Sequence, residues 1–120
     1  MSRADEFMVE RLARLLRWRE HVGAVVKAAE EVLGKDAEVY VVGGAAEGRL
    51  TAVSDIDVVV VTPKAPPSIR DRVRLAIDIR DKAYTAHGLP LDYPVDIHIM
   101  TPEEFREARR RYYKRIIRIG

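Results

Sequence analysis

Two short apolar runs set the terms on which this chain can fold. Val39-Tyr40-Val41-Val42 stops at a glycine pair, Gly43-Gly44, and Val58 to Val61 begins directly after Asp55-Ile56-Asp57. Both runs are short and rich in β-branched residues, so they read as strands. Side chains alternate along a strand, so Asp55 and Asp57 are expected to point one way and Ile56 the other. Two carboxylates aimed at one point repel each other and are costly to desolvate without a partner. A divalent cation is the natural partner. Hard oxygen ligands suit magnesium, which takes one or two carboxylates and completes its shell with water and phosphate oxygens. The glycine pair supplies the other half, because Gly43-Gly44 follows a strand and precedes the helix-compatible Ala45-Ala46-Glu47. Glycine lets backbone approach a ligand closely, and N–H groups at a helix start favour anions such as phosphate. Taken singly, a glycine pair reads as a tight turn and two aspartates as a solvated loop. Together, between two buried-looking strands, they read as a site.

The rest of the composition narrows the setting. A length of 120 residues predicts one domain, 1–120, with a real core. Hydrophobic content of 48% and charged content of 33% are those of a globular protein at the charge-rich end. The absence of cysteine excludes disulfides and thiolate metal sites. No apolar run approaches the length of a bilayer span and no secretory signal opens the chain, so no membrane role and a cytoplasmic location are expected. A net charge of only +2 means that any basic patch is local.

Ser2 to Leu33 has a helical pattern, with Met8, Leu12, Leu15, Val22, Val25, Val26, Ala29, Val32 and Leu33 on one stripe and Gly34 as a stop. One helix of that length would span about 45 Å, more than a small domain needs, so a break near His21 to Gly23 is expected. Phe7, Met8 and Trp18 are then candidates for core packing or for a partner interface, and His21 for a solvated position. Thr62 to Pro67 is a stiff connection. Ser68 caps the next helix and Gly88 ends it, with Ile69, Val73, Ala76, Ile77, Ala83 and Tyr84 as its expected buried stripe and His87 at its C-terminus. Val95 to Met100 reads as a third strand, with Val95, Ile97 and Ile99 on one face and Asp96, His98 and Met100 on the other. Beside the second strand, Asp96 would join Asp55 and Asp57. His98, a softer donor, is expected to support the site rather than ligate. Thr101-Pro102-Glu103-Glu104 is a strong helix start. The basic stretch Arg106 to Arg118 after it reads as a charged helix whose Phe105, Ala108, Tyr112, Ile116 and Ile119 pack inward, or as a patch for RNA or an acidic partner.

Gly43-Gly44, ten residues, then Asp55-Ile56-Asp57-Val58 resembles the signature of the DNA polymerase beta-type nucleotidyltransferase superfamily. Within it, the chain is most similar to the small minimal nucleotidyltransferases often encoded beside a HEPN-domain partner. The resemblance is specific from about Val39 to Met100 and implies a third carboxylate on a later strand, which Asp96 fits. It implies that Asp55, Asp57 and Asp96 hold two magnesium ions and that Gly43 and Gly44 position an NTP, ATP foremost. The expected activity moves AMP to a hydroxyl of a protein partner, as a protein adenylyltransferase. The family often carries Ser at the second glycine and Arg-Gly where this chain has Glu47-Gly48, which leaves Arg49 as the nearest cation for the phosphates. The alternative is an antitoxin-like subunit that neutralises a HEPN-type toxin by contact, with self-association also open. The expected architecture is α/β: a small mixed sheet of three or four strands with helices mainly on one face.

Overall fold

Apolar alternation on the strands decides which side of the sheet each segment turns inward. In the computed structural model, which describes residues 1–120, β1 (Glu38–Val42) lies antiparallel to β2 (Ile56–Val61), and β2 lies parallel to β3 (Val95–Met100). A fourth strand, β4 (Ile117–Arg118), closes the order β3-β2-β1-β4. Val39, Val41, Ile56, Val58, Val60, Val95, Ile97 and Ile99 form the strand side of the main core. The other face carries a smaller cluster of Val42, Val59 and Val61, covered by Phe105, whose ring lies 4.5 Å from that of Tyr40. The expected mixed sheet with helices mainly on one face is therefore the architecture found.

The long N-terminal helix divides where expected. α1 (Arg3–Leu16) opens on a capping box between Ser2 and Asp5, a 3-10 turn spans Trp18–Glu20, and α2 (Gly23–Leu33) follows. Trp18 takes the first of its two expected roles, as a core residue at 2% exposure. His21 is not simply solvated, since its ring lies 4.3 Å from that of Tyr93. Phe7 stays 61% exposed and Met8 is also exposed, because the first ten residues all lie beyond the core. Arg14 ties α1 to the loop before β3 through Asp92 at 2.8 Å, and Arg11 donates to the Ala52 carbonyl in the loop before β2.

α3 (Gly43–Glu47) is a single short turn after β1. α4 (Ile69–His87) starts at the Ser68 cap and ends at Gly88, as expected, but its buried stripe is displaced. Ile79 and Ala83 are the buried residues, whereas Ile69 is 81% exposed and Val73 and Ile77 are exposed with it. The reason is topological. α4 packs on α2 and β3, and β3 is an edge strand with no further strand for the outer flank of α4 to cover.

α5 (Pro102–Arg111) begins on the expected Thr101–Glu104 capping box but stops well short of Arg118. Tyr112 is exposed, and the Ile116-Ile117-Arg118-Ile119 run turns back to pair Ile117 with Val41 and Arg118 with Tyr40. A β-branched run beside an unpaired strand edge favours a ladder over another helical turn. Part of the basic charge is offset within the helix, where Arg110 and Arg111 share Glu107 and Arg106 pairs with Glu103. No helix is long and apolar enough to cross a membrane.

One polar tie joins the two faces. Arg72 of α4 donates to both carboxylate oxygens of Glu104 at 2.7 and 2.8 Å, while Glu104 accepts from the Thr101 N–H at 2.9 Å. The guanidinium, foremost, and the cap hold the Glu104 carboxyl down at about 2. A folded-state value below the unfolded one stabilises the fold above the ordinary carboxyl range, and this contribution disappears as pH falls toward 2. The side chain is 47% exposed, so screening keeps the ion-pair part small. Glu104→Gln should therefore cost about 1 kcal/mol or less at neutral pH, through the lost ion pair, since glutamine keeps the cap. Paired denaturant titrations should show the gap from wild type narrowing between about pH 4.5 and pH 2.

Candidate active site and metal centre

The parallel register of β2 and β3 puts Asp57 directly opposite Asp96 and Val59 opposite His98. Ile56 and Val58, the neighbours of Asp57, are fully buried in the main core, so Asp57 faces the other side of the sheet. Asp96 and His98 stand on that same side, between the buried Val95, Ile97 and Ile99. His98 Nε2 lies 3.2 Å from Asp96 Oδ2 and 3.9 Å from Asp57 Oδ1, and the ligand atoms of all three residues fall within 4.8 Å of one another. Asp57, foremost, and the charge of Asp96 push the His98 imidazole above its usual range, against an opposing effect of burial. The two carboxylates thereby favour the protonated ring, whose charge would offset their repulsion.

Gly43 forms the wall beside this group. Its φ is +66°, and a Cβ built there would stand 2.6 Å from Asp57 Oδ2. Both the left-handed backbone and the close approach exclude a side chain. Gly44 is different: it has no positive φ, and a Cβ would meet the Arg49 carbonyl oxygen at an ordinary 3.5 Å. Glycine is thus required at the first position of the pair and only tolerated at the second.

The remaining expected site residues are more dispersed. Asp55 precedes β2, is exposed, and lies outside the close group of Asp57, Asp96 and His98. It shares with Asp96 the lining of a cleft of about 520 Å³ that also includes Arg80 and Tyr84. Arg49 donates its backbone N–H to the Gly44 carbonyl at 2.8 Å, but its guanidinium is held by Glu47, also at 2.8 Å. Two further residues belong to the neighbourhood. His98 completes the close group, and its position two along from Asp96 was the available signal. Tyr113 packs on the smaller cluster; burial, with the charge of Asp57 adding, pushes its phenol upward. No local pattern marks Tyr113, which reaches the site only because the chain turns back after α5.

Two carboxylates whose oxygens lie within 4.8 Å of each other fit a divalent cation with oxygen preference, with the His98 nitrogen beside them. Residues 24–119 match the Nucleotidyltransferase domain family. The fold is similar to that of a presumed nucleotidyltransferase from Sulfolobus solfataricus, with a TM-score of 0.58 and 18% identity over 93% of this chain and 85% of that one. It is similar again to another presumed nucleotidyltransferase, with a TM-score of 0.56 and 22% identity over 83% of this chain and 98% of that one. At these identities the likeness is one of fold. No curated protein is a significant match to the sequence. The matched span includes the glycine elbow, both strand carboxylates and His98, and on that span the chain belongs to the nucleotidyltransferase domain family.

Proposed function

We propose that this chain moves AMP from ATP to a hydroxyl on a protein acceptor, with magnesium as the metal. Nucleotidyl transfer is the general activity of its family. The observation that carries the reading is the side-by-side placement of Asp57 and Asp96 under Gly43. Asp57 and Asp96 would hold the divalent ions, with Asp55 joining from the loop ahead of β2. Such ions, when bound, neutralise triphosphate charge and align a hydroxyl with the α-phosphorus. Gly43 leaves the carboxylate edge open to the triphosphate. Asp96, the more exposed carboxylate, receives the acceptor proton as the new oxygen–phosphorus bond forms and pyrophosphate departs. His98, 3.2 Å from Asp96, orients that carboxylate.

A small helical HEPN-type protein is the acceptor this reading favours. Its support is the exposed Phe7, Met8 and Leu16 on α1, a helix tied to both loops that border the site. A specific observation also favours a second reading, in which the chain neutralises such a partner by contact with little catalysis. Arg49, the nearest cation for the phosphates, is engaged by Glu47.

Incubation of the purified chain and partner with each labelled NTP in magnesium separates the two. Asp57→Ala and Asp96→Ala should each reduce label incorporation about a hundredfold or more. Undiminished transfer in both variants overturns the catalytic assignment, and neutralisation that survives Asp57→Ala supports the contact reading. The glycine pair gives an independent check. Gly43→Ala should abolish incorporation and cost about 1–3 kcal/mol of stability in thermal denaturation, the scale of a strained backbone position. Gly44→Ser should melt close to wild type and retain transfer.

A further inference from the structure

The return of the chain after α5 carries basic residues back to the glycine elbow. β4 runs antiparallel to β1, with Arg118 opposite Tyr40 and Ile117 opposite Val41. Along the same line the two preceding residues, Ile116 and Arg115, come alongside Val42 and Gly43. Side-chain packing supports this approach independently. Tyr113 and Ile116 both pack against the smaller cluster that contains Val42, so the two residues between them, Lys114 and Arg115, are bracketed by anchors on the open face. Val42 is the register partner of Asp57, and the Tyr113 phenol, raised by burial, also feels the charge of Asp57. Lys114 and Arg115 are themselves exposed and neither makes an ion pair.

The chemistry at the elbow calls for cations from the chain. Asp55, Asp57 and Asp96 bring negative charge to the site, and Glu47 adds more at the end of α3. Those carboxylates match the charge of bound divalent ions, so a triphosphate still needs positive side chains. Arg49 is the nearest along the sequence, but its guanidinium lies 2.8 Å from Glu47, a largely buried acid. Gly44 brings no hydroxyl to the phosphates. Lysine meets phosphate as a point charge and arginine as a planar fork, and both act on a leaving pyrophosphate where charge develops.

We propose that Lys114 and Arg115 hold the β- and γ-phosphates of the nucleotide, the role that Arg49 does not fill. This rests on the catalytic reading, which puts the triphosphate at the elbow. Calorimetric titration of the whole chain in magnesium with ATP, inorganic tripolyphosphate and AMP tests it. K114A/R115A should weaken ATP and tripolyphosphate about tenfold or more, the scale of lost hydrogen bonds to charged groups, and AMP by less than about threefold. The same variant should melt close to wild type by circular dichroism, since both side chains are exposed. The conservative K114R/R115K should keep ATP within about threefold of wild type. Arg109→Ala removes a nearby charge from a separate cleft shared with Asp36 and Glu38, and should bind ATP as wild type does. Undiminished ATP binding by K114A/R115A, or an equal loss for ATP and AMP, overturns this assignment and leaves the catalytic reading standing. A wild-type chain that binds neither ATP nor tripolyphosphate overturns both. A loss confined to a labelled single-stranded RNA would assign the pair to a nucleic-acid acceptor and overturn the assignment as well.

Discussion

The parallel register between β2 and β3 is the constraint on which the site depends. Asp57 and Asp96 stand side by side because Ile56, Val58, Val95 and Ile97 are buried on the reverse of the same two strands. A slip of one residue would drive a carboxylate into the core and an isoleucine into water, an exchange that costs several kcal/mol. Hydrophobic burial on one face thus enforces electrostatic crowding on the other. The raised affinity of His98 for a proton is the visible mark of the two acids beside it.

The two faces of the sheet divide the work. α1, α2 and α4 seal the strands from water with a cluster of 21 buried residues, enough to hold the framework while the opposite face stays open. On that opposite face only α5 lies down, and it covers the end of the sheet away from Asp57 through Phe105 on Tyr40 and Val61. The Arg72–Glu104 pair then joins α5 to α4 around the β3 edge, so the partial cover is pinned at the end remote from the carboxylates. The open half of the face and the closed half follow from where one short helix stops.

Much of this was legible in the residues because the signals were local. Val39 to Val42, Ile56 to Val61 and Val95 to Met100 carry their faces in a period of two, and with β3 beside β2 that period places Asp57, Asp96 and His98 on one side. Ser68, Thr101, Gly34 and Gly88 marked helix ends through capping chemistry that acts within a few residues. The misreadings share a different cause, since each depended on what lay next to a segment in space. Ile117 and Arg118 became a strand because the β1 edge was vacant. Ile69, Val73 and Ile77 have the spacing of a core stripe, but the sheet ended beneath them. Asp55 fell outside the close group because β2 begins one residue after it, so strand alternation does not govern its direction.

The two anchors of α1 carry a mechanical corollary. Arg11 grips the loop leading into β2, Arg14 grips the loop leading into β3, and the preceding turns of the helix project freely into solvent. Such a rod, clamped through its C-terminal half to both approaches of the carboxylate strands, has the form of a tiller. Whatever grasps the free end thus holds an element joined to both loops.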